Sequence, residues 1–314
     1  MEHFVTLFDS LFLPQGLALH ISMERRINSY SLWVLCVDDD VHEALVKLKL
    51  PNVRLLQLSK LETEELLRVK PERTKGEYCW TLTPFAPRFV FEADANVERV
   101  TYIDADLWFR KCPAPIFREF EASGKHVLIT DHAYSPEYDA SEASGQYCVQ
   151  FMTFTRHGGE VVRKWWEDRC VEWCYSRIED GKFGDQKYLD DWPERFINFV
   201  HVLNDKELAL APWNALRFPF GRGVFFHFHG LRIVSESKVN IGMYPLPKSL
   251  VDNVYKPYLV DLRNSTRLIN QLGLKLRPQS KVTGLSRRMF SMMRNFNLFL
   301  ETVFRSGVLK WTSE

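Results

Sequence analysis

The chain has 314 residues, 46% of them hydrophobic and 26% charged, with a formal net charge of +1, which fits one large α/β domain with an appendage or two small domains. Six cysteines without a CxxC pair exclude a disulfide framework and a zinc ribbon, and imply thiols in a reduced compartment. The opening MEHFVTLFDS has no basic leader, and no apolar run reaches the ~18 residues of a membrane span, so neither a secretory signal nor a transmembrane helix is expected.

Short apolar runs alternate with helical patterns along the first third. Residues 3–8 are predicted as a buried strand ending at Asp9, 13–26 as a helix, 31–37 as a strand, 41–48 as a helix, 53–56 as a strand and 60–69 as a helix. That rhythm calls for parallel strands with crossover helices. Residues 77–93, interrupted by Pro84 and Pro87, read as a kinked helix or a loop followed by a helix. Strands are expected at 99–103 and 125–130, a polar loop at 133–146, an extended segment at 147–155 and a long helix at 158–176. A further strand covers 224–229. Pro245, Pro247 and Pro257 mark a boundary, giving a catalytic unit at 1–255 and an extension at 256–314. The extension carries eleven Lys or Arg against three Asp or Glu. Within it, residues 285–311 are amphipathic at helical spacing, with Met289, Met292, Phe296 and Leu300 opposite Arg287 and Arg294. Such a helix either lies on an anionic membrane surface or packs back on the protein. No RNA or DNA motif accompanies the charge, so nucleic acid is not an expected partner.

Three motifs carry chemistry. In Tyr102-Ile103-Asp104-Ala105-Asp106, carboxylates two residues apart at the end of a strand face one side, where a hard divalent cation and a diphosphate can be held; a solvated acidic turn is the plainer alternative. In His227-Phe228-His229-Gly230, an imidazole offers a third ligand, or is a satisfied core histidine. In Phe183-Gly184-Asp185-Gln186-Lys187-Tyr188-Leu189, Asp185 either caps a helix or accepts from sugar hydroxyls.

Together, in this order, the strand ending at Asp9, YIDAD, the segment 147–154, GDQKYL and HFHG resemble the GT-A glycosyltransferases, in particular the glycogenin-like and lipopolysaccharide galactosyltransferase-like group, over residues 3 to about 232. The resemblance implies a Rossmann-like nucleotide-diphospho-sugar transferase fold with a mixed, mostly parallel central sheet, followed by a helical C-terminal extension. It implies Asp104, Asp106 and His227 as ligands of Mn2+ or Mg2+, with His229 the weaker candidate. Asp9 and Phe12 fall at the nucleotide base, Thr83, Arg88, Asp104 and Asp131 at the donor, and Asp185 and Gln186 on the reacting face. The implied reaction moves a sugar from a nucleotide-diphosphate donor, a UDP-sugar, to a glycan or lipid-linked acceptor with retention of configuration, in bacterial cell-surface polysaccharide or lipopolysaccharide synthesis. The implied place is the cytoplasm, peripheral on the inner face of the membrane. An inverting reaction would require a carboxylate base, with Asp185, Asp190 and Asp191 as the candidates.

Two departures stand against the pattern. Cys148 and Gln150 replace the usual Asn and small residue, and Leu231-Arg232 stands where a Lys-Pro-Trp often follows. Arg222, Arg232 and Lys238 are the cations available in its place, and sequence selects none of them. A non-catalytic nucleotide-sugar or glycan-binding protein with a decayed site is the alternative. A phosphohydrolase or a nucleotidyltransferase fits less well: the DxD comes late in the chain, and residues 9–16 hold no basic, glycine-rich loop.

Overall fold

The apolar run at the N-terminus forms β1 (Glu2–Phe8), buried from Phe4 onward. In the computed structural model, which describes residues 1–235, 238–274, 279 and 308–310, it is followed by α1 (Leu13–Arg26), β2 (Tyr30–Cys36), α2 (Asp39–Leu48) and β3 (Val53–Gln57). Next come α3 (Glu64–Val69), α4 (Lys75–Leu82), α5 (Phe85–Ala93), β4 (Arg99–Ile103), β5 (Leu107–Phe109), α6 (Ala114–Ser123), β6 (Val127–Asp131), α7 (Ser141–Ser144), β7 (Tyr147–Thr155) and α8 (Arg156–Glu172). The rest is α9 (Trp192–Arg195), β8 (Val200–Val202), β9 (Ala209–Leu210), β10 (Phe225–His227), β11 (Arg232–Ser235), β12 (Lys238–Asn240), α10 (Lys248–Leu250), α11 (Lys256–Gln271) and β13 (Val308–Lys310).

The central sheet has the order β3-β2-β1-β4-β7-β6-β8. All its pairings are parallel except those of β7, which runs against both β4 and β6. This is the expected mixed, mostly parallel sheet. Strand order reverses at β1, with β2 on one side and β4 on the other, so a crevice opens where the carboxyl ends of β1 and β4 diverge. Because β7 is antiparallel, its first residues lie at that same edge: Asp131 pairs with Tyr147, and Ile103 with Phe151. Two smaller sheets, β5-β10-β9 and β11-β12-β13, adjoin it.

Local chemistry explains several element ends. Asp38 caps α2 by accepting from the Val41 amide at 3.0 Å, and Thr74 and Glu77 form a capping box on α4. Gly16 lets α1 lie on the end of β1: a Cβ there would come within 2.5 Å of the Phe8 ring.

Helix α11 is bound into the same body by a buried carboxylate. Asp261 accepts from Trp108 Nε1 at 2.7 Å and pairs with Arg25 of α1, while Tyr258 stacks on Phe228 at 3.6 Å. Asp261→Ala would leave the Trp108 N–H buried without an acceptor; Arg25 is half exposed and adds little. The expected loss is about 2–3 kcal/mol, read as a lowered urea midpoint. An unchanged midpoint would mean that this carboxylate does not anchor the helix.

Several expectations are corrected. The helix expected at 60–69 begins only at Glu64, because Thr63 caps it. The helix expected at 158–176 is broken at its start, where Gly158 has φ of +89°, and it ends at Glu172. The strand expected at 224–229 is confined to Phe225–His227, so His229 lies in the following turn rather than one strand repeat away. Two short helical turns interrupt the 133–146 loop. The expected helical extension is present as α11. Most of the amphipathic stretch at 285–311 lies outside the described residues; residues 308–310, expected within that helix, are instead a strand on β12. Among the described residues, no helix is long and apolar enough to cross a membrane.

Candidate active site

Strand β4 delivers Asp104 to the crevice and the backbone hydrogen bonds hold it there. The Asp104 amide donates to the Gln150 carbonyl at 3.1 Å, and Leu107 N donates to Asp104 O at 3.1 Å, turning the chain through Ala105. Asp106 O then accepts from Phe228 N at 2.9 Å, and His227 sits opposite Leu107 in the β5–β10 pair. The second sheet therefore brings the imidazole over the two carboxylates. His227 Nε2 lies 3.1 Å from Asp106 Oδ1 and 3.6 Å from Asp104 Oδ2, and one ligand atom from each of the three falls within 4.8 Å of the others. Two carboxylate oxygens and one imidazole nitrogen suit a divalent metal ion. His229 is outside this cluster.

Burial and charge shape the group. Burial raises the Asp104 carboxyl, against the pull of His227, and Tyr102 Oη donates to its Oδ1 at 2.9 Å. Burial pushes Asp106 the same way, but the charge and hydrogen bond of His227 outweigh it and bring its carboxyl to about 2. The His227 ring, despite its burial, is raised well above the ordinary range by Asp106 and Asp104. Negative charge concentrated in a buried crevice is the complement of a bound cation.

Asp185 is the third carboxylate at this edge. Gly184, with φ of +55°, makes the turn that aims it inward, and Trp166 Nε1 donates to its backbone carbonyl at 2.8 Å. Burial first, and the charge of Asp104 second, raise its carboxyl to about 7. Thr83, whose hydroxyl donates to the Cys79 carbonyl, lies beside both Asp185 and Tyr102.

The other expected residues are placed as follows. Asp9 closes its own turn, accepting from Leu11 N and Phe12 N. Phe12 carries the Arg232 guanidinium 5.2 Å from its ring centroid. Asp131 is held by Lys206, by Gln146 and by the Ala133 amide, in a polar pocket that also includes Tyr134 and Arg217. Gln186 Nε2 donates to Ser144 O at 2.7 Å. Arg88 pairs with Glu92 and Glu167 on α5 and α8.

Sequence reasoning left other contributors unassigned. Asp38, read only as part of an acidic turn, also accepts from Ser10 N and Ser10 Oγ and so braces the loop after β1. Of the three cations left open, Arg222 is paired with Asp205 and Glu207 and Lys238 is exposed, whereas Arg232 is close enough to Asp106 to help lower its carboxyl. Trp213 meets the rings of His227 and His229 edge-on, each at 5.4 Å, and walls the site. Sequence named Arg232, two residues beyond HFHG, without preferring it to the other two cations; for Trp213 it held no signal.

No family model matches the chain. Two proteins of Bacillus subtilis (strain 168) do. The uncharacterized protein YfnF is 34% identical over 246 residues, spanning 72% of this chain and 80% of its own length. The uncharacterized protein YfnD is 29% identical over 279 residues, spanning 83% and 88%. Among solved structures, the galactosyltransferase LgtC, in complex with donor and acceptor sugar analogues, superposes with a TM-score of 0.52 at 10% identity, covering 88% of this chain and 98% of that one. That likeness is one of fold, and the fold is GT-A.

Proposed function

The chain belongs to the same family as YfnF of Bacillus subtilis, and from its GT-A fold and the cluster at its sheet edge we propose that it is a glycosyltransferase. Its donor is a nucleotide-diphosphate sugar, a UDP-sugar in this reading, and its acceptor a glycan or lipid-linked saccharide of a bacterial cell surface. The observation that carries the proposal is the convergence of Asp104, Asp106 and His227 from two sheets at the crevice between β1 and β4. A divalent cation held there would neutralise the diphosphate as it leaves.

The chain's own groups supply the rest. Asp9 and Phe12, at the end of β1, border the nucleotide; Asp131, fixed by Lys206 and Gln146, faces the donor sugar. Tyr102 orients Asp104 through its hydroxyl. Asp185 and Gln186 form the reacting face, with Gln186 beside the anomeric carbon in a retaining transfer. Arg232, stacked on Phe12 and near Asp106, adds positive charge where the diphosphate oxygens develop theirs. The test is release of nucleotide from a panel of nucleotide sugars, with manganese or with chelator. Metal-dependent release from one donor supports the proposal; no release and no calorimetric binding of any donor with manganese present overturns it in favour of a decayed site.

Arg232→Ala is expected to lower kcat about a hundredfold, because a charge aimed at the leaving group is felt most in the transition state. Arg232→Lys should recover part of the loss. Steady-state kinetics with the identified donor would check this: a change confined to KM would make Arg232 a binding group only.

A further inference from the structure

Gln150 and Cys148 look like erosion of the site when read as sequence. In the structure they are the seat of its imidazole. They are alternate residues of β7, so their side chains leave the strand on one face. His227 Nδ1 is 2.9 Å from Gln150 Oε1, and the Cys148 thiol is within hydrogen-bonding reach of the same ring. Both residues are buried, Gln150 completely. A carboxamide oxygen can only accept, so in this arrangement the proton sits on the Nδ1 that faces it. Once a cation occupies the cluster, the lone pair of a neutral His227 is therefore on Nε2, the nitrogen that faces Asp106 and Asp104. The backbone of Gln150 contributes as well, since its carbonyl accepts from the Asp104 amide at 3.1 Å. One residue thus ties the first carboxylate to the imidazole, although these come from different sheets.

We propose that Gln150 is a positioning residue for the metal site, holding His227 in the ring orientation and tautomer that present Nε2 to a divalent cation, with Cys148 packing behind it. The inference rests on the metal-dependent reading above. Its test measures Mn2+ bound to the full chain without any donor, by the loss of the free-ion electron paramagnetic resonance signal. Gln150→Leu keeps the bulk and removes the acceptor, and is expected to weaken Mn2+ binding ten- to a hundredfold, about the effect of losing the partner of a ligating histidine. Gln150→Glu restores an acceptor for Nδ1–H and is expected to bind at least as tightly as wild type. Circular dichroism melts verify that each variant is folded. If Gln150→Leu does not fold, Gln150→Met, which also lacks the acceptor, takes its place: weakened binding beside retained binding in Gln150→Glu supports the proposal, and wild-type affinity overturns it. Wild-type affinity in Gln150→Leu, or equal losses in both variants, also overturns it. The two readings fail distinguishably. Mn2+ binding that is lost in Asp106→Asn but kept in Gln150→Leu removes only the role of Gln150, whereas a wild-type chain that binds no Mn2+ removes the metal site itself.

Discussion

Asp106→Asn is expected to reduce metal-dependent donor turnover on the order of a thousandfold, the several kcal/mol that a bound cation contributes to a charged transition state. The two acids of the pair are not equivalent. Asp104 accepts from the Tyr102 hydroxyl and is raised by burial, whereas Asp106 is lowered to about 2 by His227 and makes the shorter approach to it. The amide of asparagine keeps the shape but not the charge, so the loss isolates the electrostatic contribution. The comparison is nucleotide release by wild type and variant at saturating manganese. A variant that kept wild-type turnover would take Asp106 out of the reaction. Its backbone carbonyl, which accepts from Phe228 N, is untouched by the substitution, so β10 should remain docked while the melting temperature falls by the loss of the charge paired with His227.

The contrast between Asp106 and Gln150 shows what sequence conveyed and what it did not. Although it is the turn through Ala105 after β4, and not strand periodicity, that brings both to one cluster, a carboxylate pair at the end of an apolar run is a local pattern. The same holds for the helices and strands of residues 2–57, where apolar spacing and turns alternate cleanly. Strand β7 was found as an extended segment, but its direction was hidden: it is buried on both faces and so carries no alternation to reveal its neighbours. Without that direction, Gln150 could not be placed beside His227, 77 residues away, and it read as a defect. The choice among Arg222, Arg232 and Lys238 was hidden for the same reason, since it depends on which cation the fold has already paired, and Arg222 meets Asp205 and Glu207 only in three dimensions. Arg88, assigned by position, has ion pairs with Glu92 and Glu167 that could not be foreseen from sequence.

The second large effect is expected at Asp185, and it sets stability against function. Its side chain is buried, Oδ2 has no hydrogen-bond partner, and burial together with the charge of Asp104 moves its carboxyl from the ordinary 3.8 to about 7. The sign follows from which state binds the proton. At a pH below the unfolded value, both states are protonated and the group contributes no difference. Between that value and about 7, the unfolded chain releases its proton while the folded chain keeps it, so stability falls as pH rises, and the loss is complete above about 7. The shift corresponds to an upper bound of about 4 kcal/mol. Asp185→Asn cannot ionise, so its stability advantage over wild type should be near zero at about pH 4 and grow to its full size by about pH 8. Urea unfolding of both proteins at these two pH values, in chelator, measures it, and parallel behaviour would show that Asp185 ionises as freely in the folded chain as in the unfolded one. The same variant should lose most of its transfer activity, because a residue kept at such a cost beside Asp104 is accounted for by the reacting face and not by the fold. A variant both more stable at alkaline pH and fully active would leave the buried acid without a role in the reaction.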